Sequence, residues 1–180
     1  MTGVESVKKV ANYMKVNPGK LSYNFENIVT RQVPKTNESV VGYSAILQML
    51  AKESKNELIT NGLKDIETRC QISQWIDYSV QFAEPASKDK HVHHTLLREL
   101  NSYLETRSYL VNQSLTLADL AVFYAIQESM LLLQISDKEN YLNLSRWFNH
   151  IQQTKAIRQD DSLINFSTLT LIGWATGTHI

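Results

Sequence analysis

A single cysteine in 180 residues, Cys70, leaves nothing to form an internal disulfide, so the chain must be held together by noncovalent packing. No apolar run approaches the roughly 18 residues that a membrane-spanning helix needs, and the start of the chain lacks the apolar core of a secretion signal. Eighteen Lys and Arg balance eighteen Asp and Glu. That zero net charge supplies no general positive field for nucleic acid, nor the excess of one sign that marks a disordered tail. Neither a G-x-x-x-x-G-K-S/T loop nor a G-x-G-x-x-G turn occurs, so nucleotide binding has no motif behind it. A repeat of roughly 20 to 50 residues, the mark of a solenoid, is also missing. The expectation is an intracellular, non-spanning globular chain, 43% hydrophobic and long enough for one compact unit or two closely packed lobes.

What is present falls into two styles of patterning. Thr2 and Glu5 stand at capping-box spacing, and Val4, Val7, Val10, Ala11 and Met14 follow along one helical face, predicting an amphipathic helix over residues 2–16. Pro18-Gly19 stops it. Leu21, Tyr23 and Phe25 then alternate with polar residues, the period of a half-buried strand. Arg31-Gln32-Val33-Pro34 leads to a short strand signal at Ser39 to Val41, and Ile46, Leu47, Leu50 and Ala51 return to helical spacing. Residues 1–58 therefore read as a small mixed α/β lobe, with a polar linker over Lys52 to Asn61.

Residues 59–165 read as helical almost throughout. Leu63, Ile66, Cys70, Ile76 and Val80, with Trp75 and Tyr78, suit a long helix ending before Glu84-Pro85. Leu96, Leu97, Leu100 and Leu104 form a second apolar stripe, Leu117 to Leu133 is apolar nearly all round, and Tyr141 to Ile151 adds an aromatic-rich helix. Short connections between them predict a bundle. Thr116 and Asp119 form an S/T-x-x-D variant of the capping box at the start of the central helix, flanked by Leu115 and Leu120 at staple positions. Residues 166–180 show no clear period.

A small α/β lobe joined near residue 60 to a helix bundle is similar to the layout of glutathione-transferase-like proteins, and Val33-Pro34 resembles the valine and cis-proline before their third strand. The fold class expected is thus mostly α, a truncated thioredoxin-like lobe packed on an all-α bundle. A closer resemblance lies in Leu100-Asn101-Ser102-Tyr103-Leu104-Glu105, Tyr109-Leu110, Thr116-Leu117-Ala118-Asp119, Tyr141-Leu142-Asn143, Ser145-Arg146-Trp147-Phe148, His150-Ile151-Gln152 and Ile157-Arg158-Gln159. These runs resemble the third auxiliary scaffold family of the multi-tRNA-synthetase complex, also described as elongation factor 1 epsilon. The chain departs from that family at Asn112, where glycine is usual after the Tyr-Leu pair; asparagine also tolerates positive φ.

The resemblance implies a protein that is not an enzyme and needs no cofactor or metal. A glutathione transferase presents a Tyr, Ser or Cys from an N-terminal strand, and here a helix pattern begins at about residue 2. The acidic or amide residue and serine that bind glutathione's γ-glutamyl group align with Gly42-Tyr43, with Ser44 one residue away. Tyr23 is the best remaining hydroxyl, and its alternation favours a core tyrosine; Cys70 is favoured as a small buried hydrophobe. His91, His93 and His94 lack a carboxylate or cysteine at ligand spacing, and with Lys88 and Lys90 read as a solvated linker. Arg146, Asn149, His150 and Gln153 share an outward stripe, which from the residues alone is a solvated face. The resemblance instead pairs Arg146 with a carboxylate on the transferase-like domain of glutamyl-prolyl-tRNA synthetase. It further implies a dimer-type face on the helices at Tyr43 and Leu63 to Gln81, with Arg69, Gln74 and Tyr78, that takes the transferase-like domain of methionyl-tRNA synthetase. Direct nucleic-acid or membrane binding is not expected, and the location implied is the cytoplasm with a nuclear pool besides. Two alternatives stand: a divergent glutathione transferase, and a transferase-like module of the elongation factor 1 complex.

Overall fold

The computed structural model describes residues 3–34, 38–83, 86 and 89–166. The α/β lobe starts with α1 (Val4–Met14), whose Val7, Val10, Ala11 and Met14 are buried as the periodicity requires. Thr2 lies outside the described residues, and Gly3 takes the N-cap position. Lys15 ends the helix in the left-handed region, φ 55°, with its N–H bonded back to Ala11 and Asn12 carbonyls.

Three antiparallel strands follow in the order β1 (Lys20–Tyr23), β2 (Val29–Gln32), β3 (Ser39–Val41). Strand β1 is shorter than its alternation suggests. Asn24 Oδ1 accepts from the N–H of Glu26 (3.0 Å) and Ile28 (2.8 Å), and Asn27 adopts φ 60°, so an Asx-type turn closes the hairpin directly after Tyr23. Phe25 is left at the tip, 95% exposed, and Tyr23 is half out of the core. The expected core tyrosine is therefore a surface residue, whose hydroxyl accepts from Val4 N–H (3.2 Å) at the start of α1.

Strand β2 has no apolar alternation because its second inward position is a cation. Arg31 is fully buried, held by Glu53 Oε1 and Oε2 (2.9 and 2.8 Å) and by the Pro18 and Asn17 carbonyls (3.0 and 3.2 Å). Beside it Gly19 sits at φ 69°. A Cβ there would stand 2.3 Å from the Gln32 carbonyl oxygen and 3.1 Å from Pro34 Cδ, so only glycine fits. Pro34 thus packs on the Gly19 turn, between β2 and β3. The Val33–Pro34 peptide is trans, since no cis bond occurs among the described residues, and the likeness to a cis-proline turn does not extend to the bond.

Helix α2 (Tyr43–Glu53) packs against α1, and the expected polar linker is in part α3 (Glu57–Asn61). Asn56 Oδ1 caps α3 by accepting from Leu58 N–H (3.1 Å), and Ile59 anchors it in the core. In the bundle α4 runs Ile66–Tyr78, then widens into a π turn at Ser79–Ala83; Glu84 and Pro85, the expected stop, lie outside the described residues. Asp65 caps α4 by accepting from Thr68 N–H (2.8 Å), which fixes its phase: Ile72 and Ile76 face inward with Ser79 and Ala83. Ile66 and Cys70 consequently face out, correcting the buried cysteine expected. The true inward stripe was disguised by its small members, Ser79 and Ala83.

Helix α5 (Lys90–Tyr103) starts at the Asp89 cap, so His91, His93 and His94, expected in a solvated linker, are helical, and it buries Leu96, Leu97 and Leu100. Central α6 (Leu117–Leu132) buries every residue from Leu117 to Ile126. Short α7 (Ile135–Asn140), α8 (Leu142–Gln152) and α9 (Lys155–Arg158) complete the bundle. Both lobes share one continuous apolar core, with α1 packing on α6. Of the expected tail, only Phe166 is described; it lies against Phe148. No described helix is long and apolar enough to cross a membrane.

Candidate functional site

The capping box is the structural root of the site. The Asp119 carboxylate is wholly buried and accepts from four donors: Thr116 N–H (2.9 Å) and hydroxyl (3.0 Å), Leu110 N–H (2.9 Å) and the Trp147 indole N–H (3.1 Å). Burial pushes its carboxyl above the ordinary range, against the pull of those donors. One residue therefore ties the start of α6 to the loop after α5 and to α8. The spacing of Thr116 and Asp119 shows a helix cap; the links to Leu110 and Trp147 cross 9 and 28 residues and leave no local pattern.

With Trp147 locked, α8 turns Phe148 and Ile151 inward and Arg146, His150 and Gln153 outward, with Asn149 half-buried. The stripe is the one expected, but its side chains are already engaged. Arg146 Nη2 donates to the carbonyls of Leu104 (2.7 Å) and Arg107 (2.9 Å), closing the C-terminal turn of α5. His150 Nε2 is paired with the Tyr109 hydroxyl (3.0 Å), and Asn149 Oδ1 accepts from the Gln152 and Gln153 amides (2.9 and 3.0 Å). Arg146 thus serves as an internal clamp through Nη2, and its Nε and Nη1 make no hydrogen bond among the described residues.

The second set of residues divides. Ser73 Oγ accepts from Gln48 Nε2 (3.2 Å), so it marks the side of α4 facing α2, and Arg69, one turn earlier, belongs to that side. Gln74 and Tyr78 lie on the opposite side, toward α5, where Tyr78 donates to Glu99 (2.9 Å) and stacks near Trp75 and Phe82. Burial, followed by the hydrogen bond and charge of Glu99, pushes the Tyr78 hydroxyl far above the usual tyrosine range. Asn112 takes φ 57°, as expected of a glycine substitute, and donates to the Thr68 hydroxyl (3.2 Å).

At the place aligned with the glutathione half-site, Gly42 adopts φ 102° and Tyr43 turns its ring into the core, where burial drives its hydroxyl well above the ordinary range. The neighbouring Ser44 hydroxyl accepts from Gln48 Nε2 (3.3 Å). His94 Nδ1 is paired with the Tyr141 hydroxyl (3.0 Å), and no three His, Cys, Asp or Glu side chains among the described residues are arranged to hold a metal.

An α/β lobe sharing its core with an α bundle is the arrangement of the glutathione-transferase-like fold. In agreement, the glutathione-transferase-like domain of elongation factor 1-gamma from Saccharomyces cerevisiae superposes with a TM-score of 0.68 over 90% of both chains, at 13% identity. The family model described as nuclear-export cofactor Arc1p matches residues 68–155. Human eukaryotic translation elongation factor 1 epsilon-1 is 37% identical over 140 residues, covering 76% of this chain and 79% of that protein. The chain belongs to the elongation factor 1 epsilon family. A part of the mouse bifunctional glutamate/proline–tRNA ligase is also similar, 29% identical over 118 residues, 64% of this chain and 7% of the ligase.

Proposed function

We propose that this chain is a non-catalytic adaptor of the multi-tRNA-synthetase complex, holding the transferase-like domains of methionyl- and glutamyl-prolyl-tRNA synthetases on two faces and so supporting translation in the cytoplasm. The observation that carries the non-catalytic reading is the state of the hydroxyls a transferase would need. That of Tyr23 is bonded to the start of α1, that of Tyr43 is buried and held protonated, and that of Ser44 is bonded to Gln48. The Tyr43 hydroxyl is thus out of a ligand's reach in the core, and the Tyr23 and Ser44 oxygens are engaged as acceptors within the fold. Partner choice is supported by membership in the epsilon family and by the similarity to a synthetase's own segment. Arg146, with Asn149, His150 and Gln153, is the glutamyl-prolyl side; the α2 and α4 surface, with Arg69 and, at its far edge, Gln74 and Tyr78, is the methionyl side. A nuclear pool rests on the resemblance alone.

The test is light scattering of the purified chain with both synthetase domains. A ternary species at micromolar concentrations is expected; its absence refutes the adaptor reading. Arg146→Ala should weaken the glutamyl-prolyl contact and spare the methionyl one, whereas equal loss of both removes Arg146 from that role. Retention on immobilised glutathione with conjugation of a chloroaromatic substrate would instead support a divergent transferase, and pull-down of elongation factor 1 subunits without synthetases a module of that complex.

A further inference from the structure

Between α4 and the turn that follows α5 lies an open groove of about 450 Å³, lined by Gln74, Trp75, Tyr78, Tyr103, Arg107 and Asn112 among others. Its walls are aromatic and rigidly set. Trp75 meets Tyr103 edge-on at 4.7 Å between ring centroids and Tyr78 at 5.2 Å, and the Tyr103 hydroxyl is bonded to the Leu110 carbonyl (3.0 Å). Arg107 lies over one wall. Its guanidinium carbon sits 4.2 Å from the Tyr103 ring centroid and Nη1 donates to the Tyr103 carbonyl (3.2 Å). The main chain of Arg107 is fixed as well, its N–H bonded to the Leu104 carbonyl (3.2 Å) and its carbonyl to Arg146 Nη2 (2.9 Å). This exposed cation is therefore held in place before any ligand arrives.

Its charge is unanswered. The ion pairs among the described residues join Glu5 to Lys8, Lys9 to Asp161 and Arg31 to Glu53; none includes Arg107, and no Asp or Glu lines the groove. Further donors go unused, since the Trp75 indole N–H and the Gln74 amide make no hydrogen bond among the described residues. A groove offering one preorganised cation, spare N–H groups and two or three aromatic faces is complementary to an acceptor carried beside an apolar group. We propose that it is a docking site for an acidic segment of a partner protein, in which an Asp or Glu carboxylate meets Arg107 while an adjacent aromatic or aliphatic side chain packs on Trp75 and Tyr103. A protein segment fits better than nucleic acid, because a single lining cation on a chain of zero net charge gives little to a phosphate backbone. The groove shares Gln74 and Tyr78 with the far edge of the proposed methionyl side and so extends that reading, while it is independent of the partner at Arg146.

The test is an NMR titration of the ¹⁵N-labelled full chain, following the Trp75 indole and the Gln74 and Asn112 side-chain amides. The probes are the blocked peptide Gly-Phe-Asp-Phe-Gly, the same peptide with Asn in place of Asp, and a single-stranded hexaadenylate RNA. Saturable shifts with the Asp peptide are expected, weakened about tenfold or more by the Asn replacement or by Arg107→Gln, as loss of a charge-assisted hydrogen bond implies. Arg107→Lys, which keeps the charge but not the planar fork, should fall between wild type and Arg107→Gln. Equal binding of the Asn peptide, no loss in Arg107→Gln, a lysine variant no better than the glutamine one, or no saturable shift at all overturns the proposal. Stronger binding of the RNA at the same resonances overturns it in favour of nucleic acid. Unchanged backbone spectra show that the variants fold, and the light-scattering assembly is read separately, so failure here leaves the adaptor reading standing.

Discussion

Replacing Asp119 by alanine should damage this chain far more than removing an ordinary helix cap. A lost N-cap side chain costs about 1 kcal/mol in most proteins. Here the same carboxylate also serves Leu110 N–H and the Trp147 indole, so Asp119→Ala strands four donors in a wholly buried place. At about 1–3 kcal/mol for each unsatisfied buried group, discounted because they share one site and can relax together, the loss should be about 3–5 kcal/mol. For a chain of this size that lowers Tm by roughly 6–20 °C. Asp119→Asn keeps one acceptor oxygen and relieves the burial of charge, so about half the loss is expected. Denaturant unfolding followed by far-UV circular dichroism and tryptophan fluorescence measures both. A loss near 1 kcal/mol for Asp119→Ala would refute the hub and reduce Asp119 to a cap. Trp147→Phe supplies the coupling: if the indole bond matters, its effect in the Asp119→Ala background should shrink by about 1 kcal/mol, and simple additivity would count against the link.

Two further outcomes follow from groups outside this hub. Arg31→Met fills a similar volume but leaves the Asn17 and Pro18 carbonyls without their donor and Glu53 without its partner. Because Glu53 reaches solvent, the expected cost is about 1–3 kcal/mol by denaturant unfolding and not that of a fully buried pair, and an unchanged midpoint would show the ion pair to be dispensable. His93 is held below its ordinary 6.5, first by burial and then by His94, so the folded chain binds fewer protons there than the unfolded one. Its contribution is complete above pH 6.5 and is lost as pH falls through the lower folded value; unfolding midpoints should drop between about pH 7.5 and 5, and His93→Gln should narrow that drop. A gap of the same size in the variant would refute the assignment.

Helices whose inward faces carry large aliphatic residues were legible from the residues alone, because burial rewards a fixed period. The stripes of α1 and α5 and the all-round apolarity of α6 match their burial almost residue for residue. Where the inward position is small or charged the period fails. Ser79 and Ala83 misled the phase of α4, sending Cys70 outward, and Arg31 concealed β2, since its burial depends on Glu53 and two carbonyls far along the chain. Tyr23 was misjudged because an Asx turn at Asn24 ends the strand before alternation can place Phe25 inside.

The stripe of Arg146, Asn149, His150 and Gln153 was likewise legible as a helix face, since Trp147 and Phe148 can only point inward. That Arg146 spends Nη2 on the Leu104 and Arg107 carbonyls, and that Arg107 is thereby poised over Tyr103 in a groove, could come only from bringing α8 against the end of α5. The sequence by itself determined the helix start at Thr116 to Asp119, because capping is local, and the wording of the runs from Leu100 to Gln159 carried the resemblance to the family. The tertiary structure alone decided that Asp119 is a hub and that an unanswered cation, Arg107, is poised over Tyr103, because those depend on groups that meet only after folding.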